Sequence, residues 1–125
     1  MKKYYQLIFF ALIFSATFAL CLFRYWSGTA SVDDAIFANI LKNISLSGVP
    51  YSSIEGTNHL ALHFQPVLYL IMVPYLLFGS VLSFSLIISL SMVTSCLGVY
   101  MISDHFFRDK KISMLFSLLF FVSLP

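Results

Sequence analysis

Charge is what this chain has least of: 10% of its 125 residues carry one, against roughly a quarter in a soluble domain. With hydrophobic residues at 60% and mean hydropathy at +0.94, that shortage excludes a water-soluble globular fold and makes lipid the solvent. A large excess of one sign is missing too. The formal net charge is +2, and basic residues cluster at Lys2 and Lys3 and at Arg108, Lys110 and Lys111. Such clusters anchor helix ends beside a membrane and exclude a nucleic-acid footprint, so membrane lipids are expected as partners and nucleic acid is not. Cysteine is scarce: Cys21 and Cys96 both fall inside apolar blocks, where neither metal nor redox chemistry is implied. Walker, Rossmann and nucleophile-elbow motifs are absent, as are internal repeats and low-complexity tracts.

What the chain has instead is length without charge. From Tyr4 to Phe23 no residue is charged, with Lys2 and Lys3 before and Arg24 after. This predicts a first transmembrane helix over 4–24, long enough for a hydrocarbon core of about 30 Å, with its N-terminus cytoplasmic. A cleaved signal peptide is the alternative, with Thr17-Phe18-Ala19 as a loose cleavage site; the apolar block continues past Ala19, which favours a retained span. Tyr25 and Trp26 stand where an interfacial aromatic belt is expected.

The residues from Pro66 to Ser103 also carry no formal charge and would measure about 57 Å as one helix, almost twice the core. A division at Gly79-Ser80 predicts a short second span over 66–79, kinked near Pro74, and a third over 82–103. The serines at 83, 85, 89, 91 and 95 and Gly98 suit close helix packing in lipid. The block 112–125 is part of a fourth span. The expected fold is therefore an all-α membrane protein with three transmembrane helices plus part of a fourth, joined by an outer loop over 25–65. Three crossings from a cytoplasmic N-terminus place Arg108, Lys110 and Lys111 outside, against the positive-inside tendency. A re-entrant second segment would restore the rule. Three crossings are retained because the first helix usually dominates orientation and the excess from Asp104 to Lys111 is one net charge.

The polar segment from Arg24 to Gln65 carries the acids Asp33, Asp34 and Glu55. In SVDDAIFANILKN, Ser31 is an N-cap and Asp34 a capping-box acid, predicting a helix over about 32–43. Its arc of Ile36, Phe37, Ile40 and Leu41 would lie along the membrane surface, with Asn39 and Lys42 opposite. Asp33 falls in the middle of that arc, where a carboxylate must be paired or hydrated, or else serves the helix dipole in the first turn. SLSGVPYSSIEGTN reads as irregular chain in which Glu55 is a solvated loop acid and Asn43-Ile44-Ser45 a chance glycosylation sequon. In NHLALHFQP, Thr57 or Asn58 can cap a short helix, and His59 and His63, four apart, share one face. That spacing can bind a divalent metal ion, though two histidines alone equally suit hydrogen bonding at an interface.

DDAIFANI, EGTNHLALHFQP and VPYLLFG together resemble the predicted membrane proteins allied to the GT-C glycosyltransferases, whose pattern is an Asp, an aliphatic-Phe pair, Asn-His, His-Phe and Pro. The likeness runs from about Ser31 to Pro125, with mild departures at Ala35, Asn39 and Ala61. It implies the N-terminal part of an integral membrane glycosyltransferase, with its first outer loop as the active-site loop and a polyprenyl-phosphate-linked sugar as donor. The implied catalytic residues are Asp33 and Asp34, with Asn58, His59 and His63 on substrate and Asp33, His59 and His63 on any metal. A non-catalytic membrane protein, a truncated relic or assembly subunit, is the alternative. A transporter is less favoured, since the spans hold no charged midplane residue. An integral location in a bacterial cytoplasmic membrane is expected.

Overall fold

The computed structural model describes residues 3–29, 31–58 and 67–123. In chain order its elements are α1 (Lys3–Trp26), α2 (Val32–Ser47), the two-residue strands β1 (Tyr51–Ser52) and β2 (Thr57–Asn58), α3 (Val67–Phe107) and α4 (Lys110–Ser123). Among the described residues, Tyr4–Trp26 and Tyr69–Phe107 are long and apolar enough to cross a membrane.

α1 forms because its apolar run contains neither proline nor glycine. It stops where Gly28 adopts φ +70°, and the N–H groups of Ser27 and Thr29 turn back to the carbonyls of Phe23 and Arg24, both at 2.9 Å. α2 ends likewise at Gly48, left-handed at φ +73°, whose N–H meets the Ile44 carbonyl at 2.8 Å. It outruns the expected end at Asn43 by one turn because Ile44 is buried and the first residue able to close the helix is Gly48.

α3 is interrupted at Gly79 (φ +78°, ψ 175°), the division expected from its length, while Pro74 sits inside the helix. The part before Gly79 measures about 18 Å at 1.5 Å per residue, short of a core of about 30 Å. It is not by itself a full span, so the three crossings expected from the sequence are not established.

The chain divides into two compact units, 22–84 and the combination of 1–21 with 85–125. In the first, Ile40, Leu41 and Ile44 of α2 bury against Met72, with Ile36, Phe37, Ile71, Tyr75 and Phe84 around them. The apolar stripe of α2 is thus covered by protein along most of its length, where lipid contact was expected. This packing holds the helix, and truncating the fully buried Ile40 to alanine would cost about 2–5 kcal/mol.

In the other unit small polar residues line the helix contacts. Ser85, Ser89, Ser103, Ser113 and Ser117 are buried, and Ser117 Oγ donates to the Cys96 carbonyl at 2.9 Å, joining α4 to α3. Of the serines expected to pack, Ser83, Ser85 and Ser89 do, whereas Ser91 and Ser95 are exposed, and the Ser95 hydroxyl donates to the Ser91 carbonyl of its own helix at 2.9 Å. The Gln6 amide donates to the Tyr100 hydroxyl, and the Phe10 and Tyr100 rings meet edge to face at 5.9 Å, joining the start of α1 to α3.

Candidate functional site

The two adjacent acids at the head of α2 have different surroundings. Ser31 Oγ accepts the Asp34 N–H at 3.2 Å, and Asp34 Oδ2 accepts the Ser31 N–H at 2.9 Å. This reciprocal capping box satisfies two backbone donors that the first helical turn leaves open. Asp34 is thereby committed to holding the helix start. Asp33 is exposed and makes no part of the box.

Helical spacing places Asp33 on the same face as Ile36, Phe37, Ile40 and Ile44, the face that packs against α3. The carboxylate therefore continues the packed seam beyond its covered end. The expectation that it would be aimed into an apolar surface is modified accordingly: the stripe is buried at Ile40, Leu41 and Ile44 and open at Asp33.

Behind this acid the loop is tied to α2 by two amides, Asn39 and Asn43, whose clamping role sequence reasoning did not foresee. Asn43 Nδ2 donates to the Tyr51 carbonyl at 2.7 Å, while Asn39 Oδ1 accepts the Ser53 N–H at 2.8 Å. Asn43 Nδ2 also meets Asn39 Oδ1 at 3.3 Å, joining the two clamps. The available signal was their spacing of four, which puts both amides on one helical face.

The return segment expected to be irregular contains a small antiparallel ladder, Tyr51 with Asn58 and Ser52 with Thr57. Gly56, at φ +70°, closes its turn by donating to the Ser52 carbonyl at 2.9 Å. Glu55 is half-buried in that turn, rather than a fully solvated acid, and its N–H meets Ser52 Oγ at 3.1 Å. Thr57 and Asn58 are the two residues of β2, with Asn58 exposed, and the short helix that either was expected to cap lies outside the described residues.

His59, His63 and Pro66 lie outside the described residues, so the structure brings neither histidine to Asp33 nor separates it from Asp33. Among the described residues no group of three or more His, Cys, Asp or Glu side chains could hold a metal ion. With Asp34 engaged by Ser31, Asp33 is an exposed carboxylate able to accept a proton or a hydrogen bond.

No curated protein and no solved structure matches the chain significantly. A family model described as "Predicted membrane protein (DUF2079)" matches residues 24–124, from the polar loop through α4. The chain belongs to this family of predicted membrane proteins.

Proposed function

We propose that the chain is part of a GT-C-like integral membrane glycosyltransferase that uses a polyprenyl-phosphate-linked sugar, with the segment from Arg24 to Gln65 as its active-site loop. The observation that carries this reading is the division of labour between neighbouring acids. Asp34 closes the capping box, which fixes the helix start, and Asp33 is left exposed on a rigid, packed helix. The sequence likeness at Asp33, Ile36-Phe37, Asn58-His59 and His63-Phe64 supplies the reaction class.

In this reaction an acceptor hydroxyl oxygen attacks the anomeric carbon of the donor. The bond from that carbon to the phosphate oxygen breaks, polyprenyl phosphate leaves with the electron pair, and the hydroxyl proton passes to the Asp33 carboxylate. Asn58, His59 and His63 are the residues assigned to phosphate or sugar. General-base help of this kind contributes typically 10²–10⁴-fold.

The test uses membranes containing the chain and a polyprenyl-phosphate-linked hexose radiolabelled in the sugar. Release of polyprenyl phosphate with transfer of label is expected for the wild type, lost by at least about 10²-fold in Asp33→Asn. Wild-type membranes that turn over no donor would remove the reaction class, leaving the loop as a binding surface; full activity in Asp33→Asn would remove its catalytic role.

A further inference from the structure

We propose that the α3–α4 corner, level with the start of α1, forms a basic collar that holds anionic phospholipid headgroups of a single leaflet. This inference is independent of the glycosyl-transfer reading.

The level of the collar follows from contacts within one compact unit. The Gln6 amide and the Phe10 ring both meet Tyr100, so the first turns of α1 stand beside the last two turns of α3. The apolar length of α1 beyond Gln6 and the apolar length of α3 before Tyr100 must occupy the same hydrocarbon core, since neither can be exposed to water. The two helices therefore run antiparallel, and the Lys3 end of α1 emerges on the same side as Arg108, Lys110 and Lys111. Only the portion of α3 after Gly79, about 42 Å long, need cross the bilayer; the portion before it is too short to do so.

The corner is built rather than slack. Arg108 adopts φ +51°, a left-handed conformation uncommon for a residue with a side chain, and its N–H closes on the Asp104 carbonyl at 3.0 Å. Asp109 Oδ1 accepts the Lys111 N–H at 2.8 Å, capping α4. Phe107 and Phe116 stack across the corner at 5.2 Å. This arrangement engages the Asp109 carboxylate with backbone donors while Arg108, Lys110 and Lys111 remain exposed. Phe106, 75% exposed, adds an aromatic ring beside these cations. Cations with long apolar stems beside an exposed ring, at the end of two spanning helices, match a phosphate headgroup above an acyl chain.

The test places one tryptophan at the corner, as Phe106→Trp with Trp26→Phe, in proteoliposomes containing brominated phosphatidylglycerol or brominated phosphatidylcholine. Stronger quenching by the anionic lipid at low salt is expected. The preference should fall by at least about fivefold, the weight of one basic residue near an anionic surface, when Arg108, Lys110 and Lys111 are all changed to glutamine. It should also fall with added salt in the unmodified corner, a reading that needs no cation variant to fold. Equal quenching by both lipids at low salt, or a preference untouched by salt and by the triple change, overturns the proposal.

Discussion

Asn43 donates its side-chain amide to the backbone carbonyl of Tyr51 at 2.7 Å, and through this bond the loop is fastened to the helix that carries Asp33. The partner Asn39 Oδ1 holds the Ser53 N–H at 2.8 Å, so two consecutive turns of α2 grip both sides of one loop residue, Ser52, which is fully buried. Removing the Asn43 amide leaves the Tyr51 carbonyl to find water. Because the clamp is largely exposed, Asn43→Ala is expected to destabilise it by about 1 kcal/mol. The check is amide hydrogen exchange, which should accelerate at the amides of Tyr51 to Gly56 while that of α2 beyond Asn43 changes little.

The capping box makes a sharper distinction between adjacent acids. Ser31→Ala and Asp34→Ala each remove one arm of the box and should weaken α2 by about 0.5–2 kcal/mol. Asp33→Asn removes no arm and should leave thermal stability within about 0.5 kcal/mol of the parent. Thermal unfolding in detergent followed by circular dichroism separates these outcomes. A loss at Asp33 as large as at Asp34 would show that the exposed carboxylate has a structural role of its own.

Much of this local chemistry was legible in the chain. Ser31 and Asp34 stand at capping-box spacing, and the length of the uncharged stretch after Pro66 required a break, which falls at Gly79. Both signals lie in a single continuous stretch of sequence and need no knowledge of what folds against it. The loop clamp is different, because Asn43 is read locally as part of a sequon and its role depends on Tyr51 and Ser53 folding back over it. The Gln6–Tyr100 contact spans most of the chain, and no spacing rule connects residues that meet only after two long apolar helices have come together. For the candidate site, Asp33 and Asp34 were legible as unequal acids, since only one of them occupies the box position. What covers the apolar stripe of α2 was not, because amphipathicity identifies the face that will be buried and leaves open whether lipid or protein buries it.

Gly79 tests the interruption of α3. At φ +78° and ψ 175° its backbone lies in a region essentially reserved for glycine, and no atom within 4 Å would meet an added Cβ. The penalty of Gly79→Ala therefore comes from the backbone alone, about 1–3 kcal/mol. A lowered unfolding temperature is expected, with no rescue from a smaller neighbour. An unchanged temperature would mean that the two halves of α3 can join as one helix without loss.

The orientation implied by the Gln6–Tyr100 contact gives the last prediction. If the start of α1 and the α3–α4 corner share one side of the membrane, the positive-inside tendency draws both to the cytoplasm, because Lys2, Lys3, Arg108, Lys110 and Lys111 then act together. The loop that follows Trp26 must in consequence face outward. Single cysteines at Ser47, Ser53 and Lys110, each exposed, in a Cys21→Ser, Cys96→Ser background report these positions to a membrane-impermeant thiol reagent. Labelling of intact cells at 47 and 53, with 110 labelled after permeabilisation alone, is the expected pattern. Labelling of all three from outside would require another full crossing between the loop and the corner, which a segment of about 18 Å before Gly79 could make only by drawing the bilayer in around it. Protection of all three would place the corner and the loop together inside, and α1 would then have to enter and leave by the same face, which a continuous helix of 24 residues cannot do.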